Sequence, residues 1–173
     1  MLASPLRRLA VIGAVAASSF ALAAAPPIFG PPWISIETPP NPFDATSRGA
    51  FLVVHTYHHG DVVASGVTGS AEGIVSGVRR TIPLAFDTTT RRGTYALRKQ
   101  WPNEGTWMLV INTGGRAQGV TALVDISTAG EVAEVRVPTR RSSDGWDLPQ
   151  QVTARDIDAA LGARASRALS ARK

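Results

Sequence analysis

Cysteine is absent from this chain of 173 residues. Its absence excludes disulfides, thiolate nucleophiles and cysteine-ligated metal sites. Aromatic side chains are also scarce, at 6% of the sequence. The chain has three histidines, and all of them lie within one stretch of five residues. Serines occur without the sharp turn that exposes a nucleophile, so a Ser-His-Asp triad is not indicated. The sequence therefore predicts a non-enzymatic protein held together by core burial, with no catalytic residues.

Net charge is small, because 18 basic residues are set against 13 acidic ones. The first 23 residues contain Arg7 and Arg8 and no acid, so removing them changes the charge from +5 to 16 − 13 = +3. This excess is too small to favour a nucleic-acid partner.

The N-terminus has the layout of a secretory signal peptide. Arg7 and Arg8 precede an apolar run from Leu9 to Leu22, and Ala21-Leu22-Ala23 forms an Ala-x-Ala cleavage site. We expect a signal peptide over residues 1–23 and a periplasmic or secreted protein. The alternative is an uncleaved inner-membrane anchor, but the apolar run is short for a span of about 20 strongly apolar residues.

The rest of the chain is dominated by short segments with period-two alternation, separated by Gly, Pro and Asn. Such segments predict half-buried β-strands joined by turns. About eight of them follow a Pro-rich lead-in at 24–32, and they predict an all-β, immunoglobulin-like antiparallel sandwich over 33–138. The predicted strands are 33–37, 49–57, 67–75, 78–86, 94–98, 107–111, 120–126 and 132–137.

The stretch from Gly93 to Asn112 is central to this prediction. Tyr95 and Leu97 share one face of its first strand, while Trp107, Leu109 and Ile111 share one face of the second. The Trp-Pro-Asn-Glu-Gly connection between them contains turn-forming residues, which favours a connected antiparallel pair. We expect these side chains to start the core, and core packing is also expected for Trp33 and Trp101.

The C-terminal part differs in composition. Residues 139–152 are polar and predict a linker, and residues 153–171 predict a helix that begins with a capping-box pattern, Thr153 to Asp156. Ile157 and Leu161 belong to a narrow apolar stripe, which favours docking on the sandwich. Contact of this basic helix with a membrane surface is the less favoured alternative.

Gly93-x-Tyr95 and Gly105-x-Trp107-x-Leu109 resemble the paired strands of bacterial exported immunoglobulin-like sandwiches, in particular the YtkA-like group and macroglobulin-type domains. The resemblance covers Trp33 to Val137. It implies a non-enzymatic sandwich, and some relatives are linked to metal handling or envelope assembly. The chain lacks the Met- and His-containing segment of the YtkA-like pattern before Tyr95, which weakens a transfer of metal binding.

The histidines His55, His58 and His59 form the most distinctive cluster, followed closely by Asp61. Imidazole is a common ligand of copper and zinc, so these three residues are the candidate metal site. On a straight strand His55 and His59 would lie about 13 Å apart, and only a turn at 58–60 could bring two rings onto one ion. In the alternative, His55 packs against the sheet and His58 and His59 end a solvated loop.

Together these patterns predict an exported binding or structural module of the periplasm or cell envelope, with another envelope protein as its partner. Two alternatives remain open. One is a periplasmic copper- or zinc-binding protein using the three histidines. The other is an accessory subunit of an inner-membrane complex, held by an uncleaved N-terminus.

Overall fold

The computed structural model describes residues 31–114 and 119–170. The predicted signal peptide at 1–23, most of the lead-in at 24–32 and residue 171 lie outside the described residues. The strands in chain order are β1 (Pro32–Glu37), β2 (Leu52–His58), β3 (Asp61–Val62), β4 (Val67–Val75), β5 (Val78–Pro83), β6 (Asp87–Thr88), β7 (Thr94–Leu97), β8 (Thr106–Thr113), β9 (Val120–Ile126), β10 (Val132–Arg136), β11 (Thr139–Arg141) and β12 (Asp147–Pro149), and the helix is α1 (Ala154–Ser170).

Two five-stranded antiparallel sheets form a sandwich. The first sheet has the order β1-β2-β7-β6, with β3 also paired to β2, and the second has the order β10-β9-β8-β4-β5. The orders β1-β2-β7-β6 and β9-β8-β4-β5 follow the strand arrangement of immunoglobulin domains. β10 adds one more strand at the edge of the second sheet. The predicted fold class, an immunoglobulin-like sandwich with a C-terminal helix, is confirmed.

The core lies between the sheets, and the alternation of the strands determines which side chains enter it. Trp107, Leu109 and Ile111 on β8 and Leu97 on β7 are buried there, with Tyr95 packed against them, as predicted. The remaining buried members of the cluster are Ile34, Leu52, Val54, Ala71, Leu84, Trp101, Val120, Ala122, Val124 and Ile126.

The prediction that the strands of the 93–112 stretch pair with each other is wrong. β7 pairs with β2 and β6 in the first sheet, whereas β8 pairs with β4 and β9 in the second. The connection between them is long enough to cross the roughly 10 Å that separates packed sheets. Trp101 in this connection is buried as predicted, and its ring meets that of Phe51 edge-on, with centroids 5.0 Å apart.

Two predicted orientations also differ from the structure. Trp33 is 42% exposed, because it lies on the outer face of β1 while Ile34 enters the core. Ala133 is exposed rather than inward, since β10 shifts register between Val132 and Glu134. Val135 lies opposite the core residue Val124 and keeps its predicted inward face, although it is 37% exposed on the edge strand, and Val137 packs on the core cluster. A bulge of this kind changes which side chains face the core from that point onward.

Residues 139–152 were predicted to form a linker, and this prediction is wrong for most of the segment. β11 and β12 pair antiparallel as a small hairpin. Its base is tied to the sandwich, since the Gln150 amide donates to the Pro138 carbonyl and the Thr121 amide to the Gln150 carbonyl. Polar composition alone could not distinguish this exposed ribbon from an unstructured linker.

Helix α1 lies on the outer face of the second sheet, as the apolar stripe predicted. Leu161 is buried against Met108, Val110 and Leu123, with Ile157 and Ala160 beside it. Two ion pairs flank this contact, Arg79 with Asp158 and Arg164 with Asp125. Arg79 lies on β5 and Asp125 lies on β9, and β4 and β8 lie between these two strands in the second sheet. The helix therefore crosses the strands, with one ion pair on either side of Leu161.

The predicted capping box begins this helix. The Thr153 amide donates to Asp156 Oδ2 at 2.8 Å, and the Asp156 amide donates to Thr153 Oγ1 at 3.3 Å. Thr153→Ala removes the acceptor and should cost α1 about 1 kcal/mol. Amide hydrogen exchange of residues 154–160 measures this loss, and Thr153→Ser should behave like the natural protein. Equal exchange in Thr153→Ala would contradict the capping role.

Candidate binding surface

The outer face of the first sheet presents an apolar row that crosses three strands. Cross-strand register places Trp33 opposite Tyr57, and Tyr57 opposite Val62. Directly opposed residues share a face of the sheet, so the three side chains adjoin one another. Trp33 is 42% exposed and Val62 is 44% exposed. We name Trp33, Tyr57 and Val62 the Trp33 row.

The next row of the same face contains a polar cluster around His55. His55 Nε2 lies 2.8 Å from Glu37 Oε2, and its Nδ1 lies 3.4 Å from Thr94 Oγ1. Register explains the second contact, because Thr94 on β7 is directly opposite His55 on β2. The cluster therefore links β1, β2 and β7 beside the Trp33 row.

The Glu37 carboxylate is stabilised in its charged form. Its pKa lies below the ordinary value of 4.5, chiefly because the Asn41 amide donates to it, with further lowering by His55 and by the positive charge of Arg91. The Asn41 bond measures 2.7 Å. The same carboxylate thus holds the histidine ring and the start of the following loop.

This loop is held against the sheet by a second ion pair. Asp44 Oδ2 lies 2.5 Å from the Arg91 guanidinium, and Asp44 also caps the short 3₁₀ turn Ala45–Ser47. The pKa of Asp44 is lowered, first by the hydrogen bond from the Thr46 hydroxyl. Phe43, immediately before Asp44, is 95% exposed. Phe43 is therefore a third aromatic side chain, after Trp33 and Tyr57, and it is presented from a loop that the Asp44 contacts hold in place.

Removing the Glu37 carboxylate should change how stability depends on pH. Because its folded pKa is lowered, Glu37 contributes stability above its unfolded pKa, near 4.5, and this is lost as pH falls through the lower folded value. Glu37→Gln should therefore unfold at lower urea concentration than the natural protein at about pH 7, with a smaller difference at about pH 3. A difference that stayed constant across this range would contradict the assignment.

The three predicted metal ligands lie in two different places. His58 and His59 begin a tight hairpin turn, in which His59 and Gly60 have positive φ, and their ring centroids are 4.1 Å apart. His55 and His58 lie on opposite faces of β2, since successive side chains alternate. Among the described residues, no group of three or more His, Asp or Glu is arranged to hold a metal ion. The three-histidine site stays a prediction.

Thr94, His55 and Glu37 align a hydroxyl, an imidazole and a carboxylate. Thr94 is only 5% exposed, and its hydroxyl also lies 3.4 Å from the Arg92 carbonyl. Burial makes the hydroxyl a group that positions the ring rather than an accessible nucleophile. The contacts of His55 with Glu37 and Thr94 therefore hold together the sheet face from which the Trp33 and Tyr57 side chains project.

Sequence reasoning had not identified Glu37 or Thr94 as members of this cluster. Alternation along β1 places Glu37 on the same face as Trp33, so the sequence indicated which face of the strand Glu37 occupies. The pairing of β1 and β7 with β2, which brings both side chains to His55, depends on strand order and register.

No family model matches the chain, and no curated protein or solved structure is significantly similar to it. In the described part of the chain, no helix is both long and apolar enough to cross a membrane.

Proposed function

We propose that this protein is an exported, non-enzymatic module of the periplasm or cell envelope that binds another envelope protein through the outer face of its first sheet. The observation that carries the proposal is the Trp33 row. An indole, a phenol and a valine lie side by side on the outer surface of three neighbouring strands.

The composition of this face supports protein recognition. Trp and Tyr are enriched among the residues that contribute most to binding energy at protein interfaces, and such residues are typically ringed by polar groups. Here the His55–Glu37 and Asp44–Arg91 pairs are the polar neighbours. Because both pairs tie strands or loops together, little ordering entropy would be lost when a partner binds.

Site-specific photo-crosslinking in the native envelope tests the proposal. Benzoylphenylalanine at Trp33 or at Phe43 should yield the same protein adduct. The matched control is Val78, which is 54% exposed on β5 of the opposite sheet and should not yield it. With the purified partner, Trp33→Ala should weaken binding by at least about tenfold, and Val78→Ala should not. Equal adducts at all three positions would overturn the proposal.

The mature N-terminus separates export from anchoring. Intact mass of the protein from its native source should show a chain that begins at Ala24, if the predicted cleavage occurs. A mass that retains residues 1–23 would favour the accessory subunit of an inner-membrane complex instead.

A copper- or zinc-binding role is the second candidate, favoured by the close approach of the His58 and His59 rings beside Asp61. Calorimetric titration with each ion tests it. The His58→Ala, His59→Ala variant should lose the binding heat, and His55→Ala should lose it as well if all three histidines act together. Absence of binding heat in the natural protein removes this candidate.

A further inference from the structure

A pocket of about 340 Å³ opens at one end of the sandwich. It lies where β1 ends, β2 begins and β10 begins, so residues that flank or start strands of both sheets form its walls. Its size falls within the range of about 300–1,000 Å³ that is usual for ligand sites. The lining residues are Thr38, Pro39, Pro40, Phe51, Glu131 and Val132.

Most of the wall is apolar and rigid. Pro39 and Pro40 have fixed φ angles because of their rings. The Phe51 ring is held edge-on against the buried Trp101, and Val132 packs on the core cluster. A chain of methylene groups could therefore bury apolar surface here with little rearrangement of the protein.

Glu131 is the one ionisable residue of this lining. Its backbone is fixed by the turn before β10, since the Ser127 amide donates to the Glu131 carbonyl at 2.7 Å and the Glu131 amide to Ser127 Oγ at 3.1 Å. The carboxylate forms no ion pair within the described residues. Lys99 Nζ lies close to Gly130, the residue before Glu131, and donates a hydrogen bond to Asn103 Oδ1.

We infer that this pocket receives a lysine or arginine side chain of the protein partner. The aliphatic stem would lie along Pro39, Phe51 and Val132, and the cationic head would reach Glu131 at the rim. Long basic side chains bury their stems on apolar surface while the charge stays near water. The Glu131 carboxylate makes the pocket complementary to a cation rather than to an anion or a neutral chain. This inference rests on the proposed function and specifies a partner residue for it.

Nuclear magnetic resonance titration of the full-length protein with acetyl-Ala-Lys-Ala-amide tests the inference. The matched probe is acetyl-Ala-norleucine-Ala-amide, which keeps the stem and lacks the charge. We expect the lysine peptide, at about millimolar concentration, to shift the amides of Thr38, Phe51 and Val132. Glu131→Gln should weaken this binding about tenfold, while Glu134→Gln, which replaces an exposed carboxylate on β10 that faces Arg136, should not.

Three results would overturn the inference: no shift of these amides, equal shifts with the norleucine peptide, or unchanged affinity in Glu131→Gln. The crosslinking adduct at Trp33 tests the proposed function independently of the peptide titration. If the adduct formed at Trp33 persists in Glu131→Gln with unchanged affinity for the partner, the protein contact stands and the pocket has no part in it. If the peptide binds as expected but no adduct forms at Trp33, the basic side chain is accepted and the proposed binding face is wrong.

Discussion

Replacing Gly73 with alanine is expected to lower the free energy of unfolding by about 3 kcal/mol, because the added methyl group collides with the core. A Cβ at Gly73 would lie 2.4 Å from the Trp107 ring. The ring cannot easily move aside, since its Nε1 donates to the Glu104 carbonyl at 2.7 Å. Urea unfolding monitored by far-ultraviolet circular dichroism measures the change.

Gly66 is the matched control for this substitution. No heavy atom lies within 4 Å of a Cβ built at Gly66, and its φ is not positive. Gly66→Ala should therefore change stability by less than about 1 kcal/mol, in the favourable direction. In a Trp107→Leu background, which removes the aromatic ring, Gly73→Ala should cost much less than in the natural protein. Equal costs in both backgrounds would contradict the clash.

Leu161→Ala should release helix α1 from the second sheet. Leu161 is buried against the second sheet, and truncating such a side chain costs about 3 kcal/mol, within the range found for buried leucines. The helix contacts the sandwich from outside, so we expect local rather than global unfolding. Amide hydrogen exchange should increase along 154–164, while β8 and β9 keep their protection.

Ala159→Ser is the control, since Ala159 is exposed on the same helix and the change costs only about 0.5 kcal/mol of helix propensity. A Leu161→Ala variant whose helix exchanges as slowly as the natural protein would show that the ion pairs of Asp158 and Arg164 suffice to hold α1. The apolar contact would then have no measurable role in docking.

Much of the local structure could be predicted from residue patterns. The inward set Trp107, Leu109 and Ile111 follows from period-two alternation, and the Thr153–Asp156 cap follows from side-chain chemistry three residues apart. The Ser76-Gly77 pair between β4 and β5 is a local hairpin signal of the same kind, and both residues have positive φ there. These features depend on neighbours close in the chain, and local rules describe such neighbours well.

Which strands pair with each other could not be predicted from local residue patterns. β7 and β8 were expected to pair, yet they belong to different sheets. Alternation is satisfied equally by a hairpin and by a crossing between sheets, because both leave the same side chains facing the core. The exposure of Trp33 was missed for a related reason, since aromatic composition favours burial but β1 directs this ring outward.

The sequence by itself determined that this protein is an all-β sandwich with a C-terminal helix, because hydrophobic periodicity and turn chemistry act over a few residues. The tertiary structure alone decided where a binding surface could form. Glu37 and Thr94 meet His55 from 18 and 39 residues away, and the pocket at Glu131 joins the ends of both sheets. Contacts over such separations depend on strand order and register, which the burial of the whole core selects.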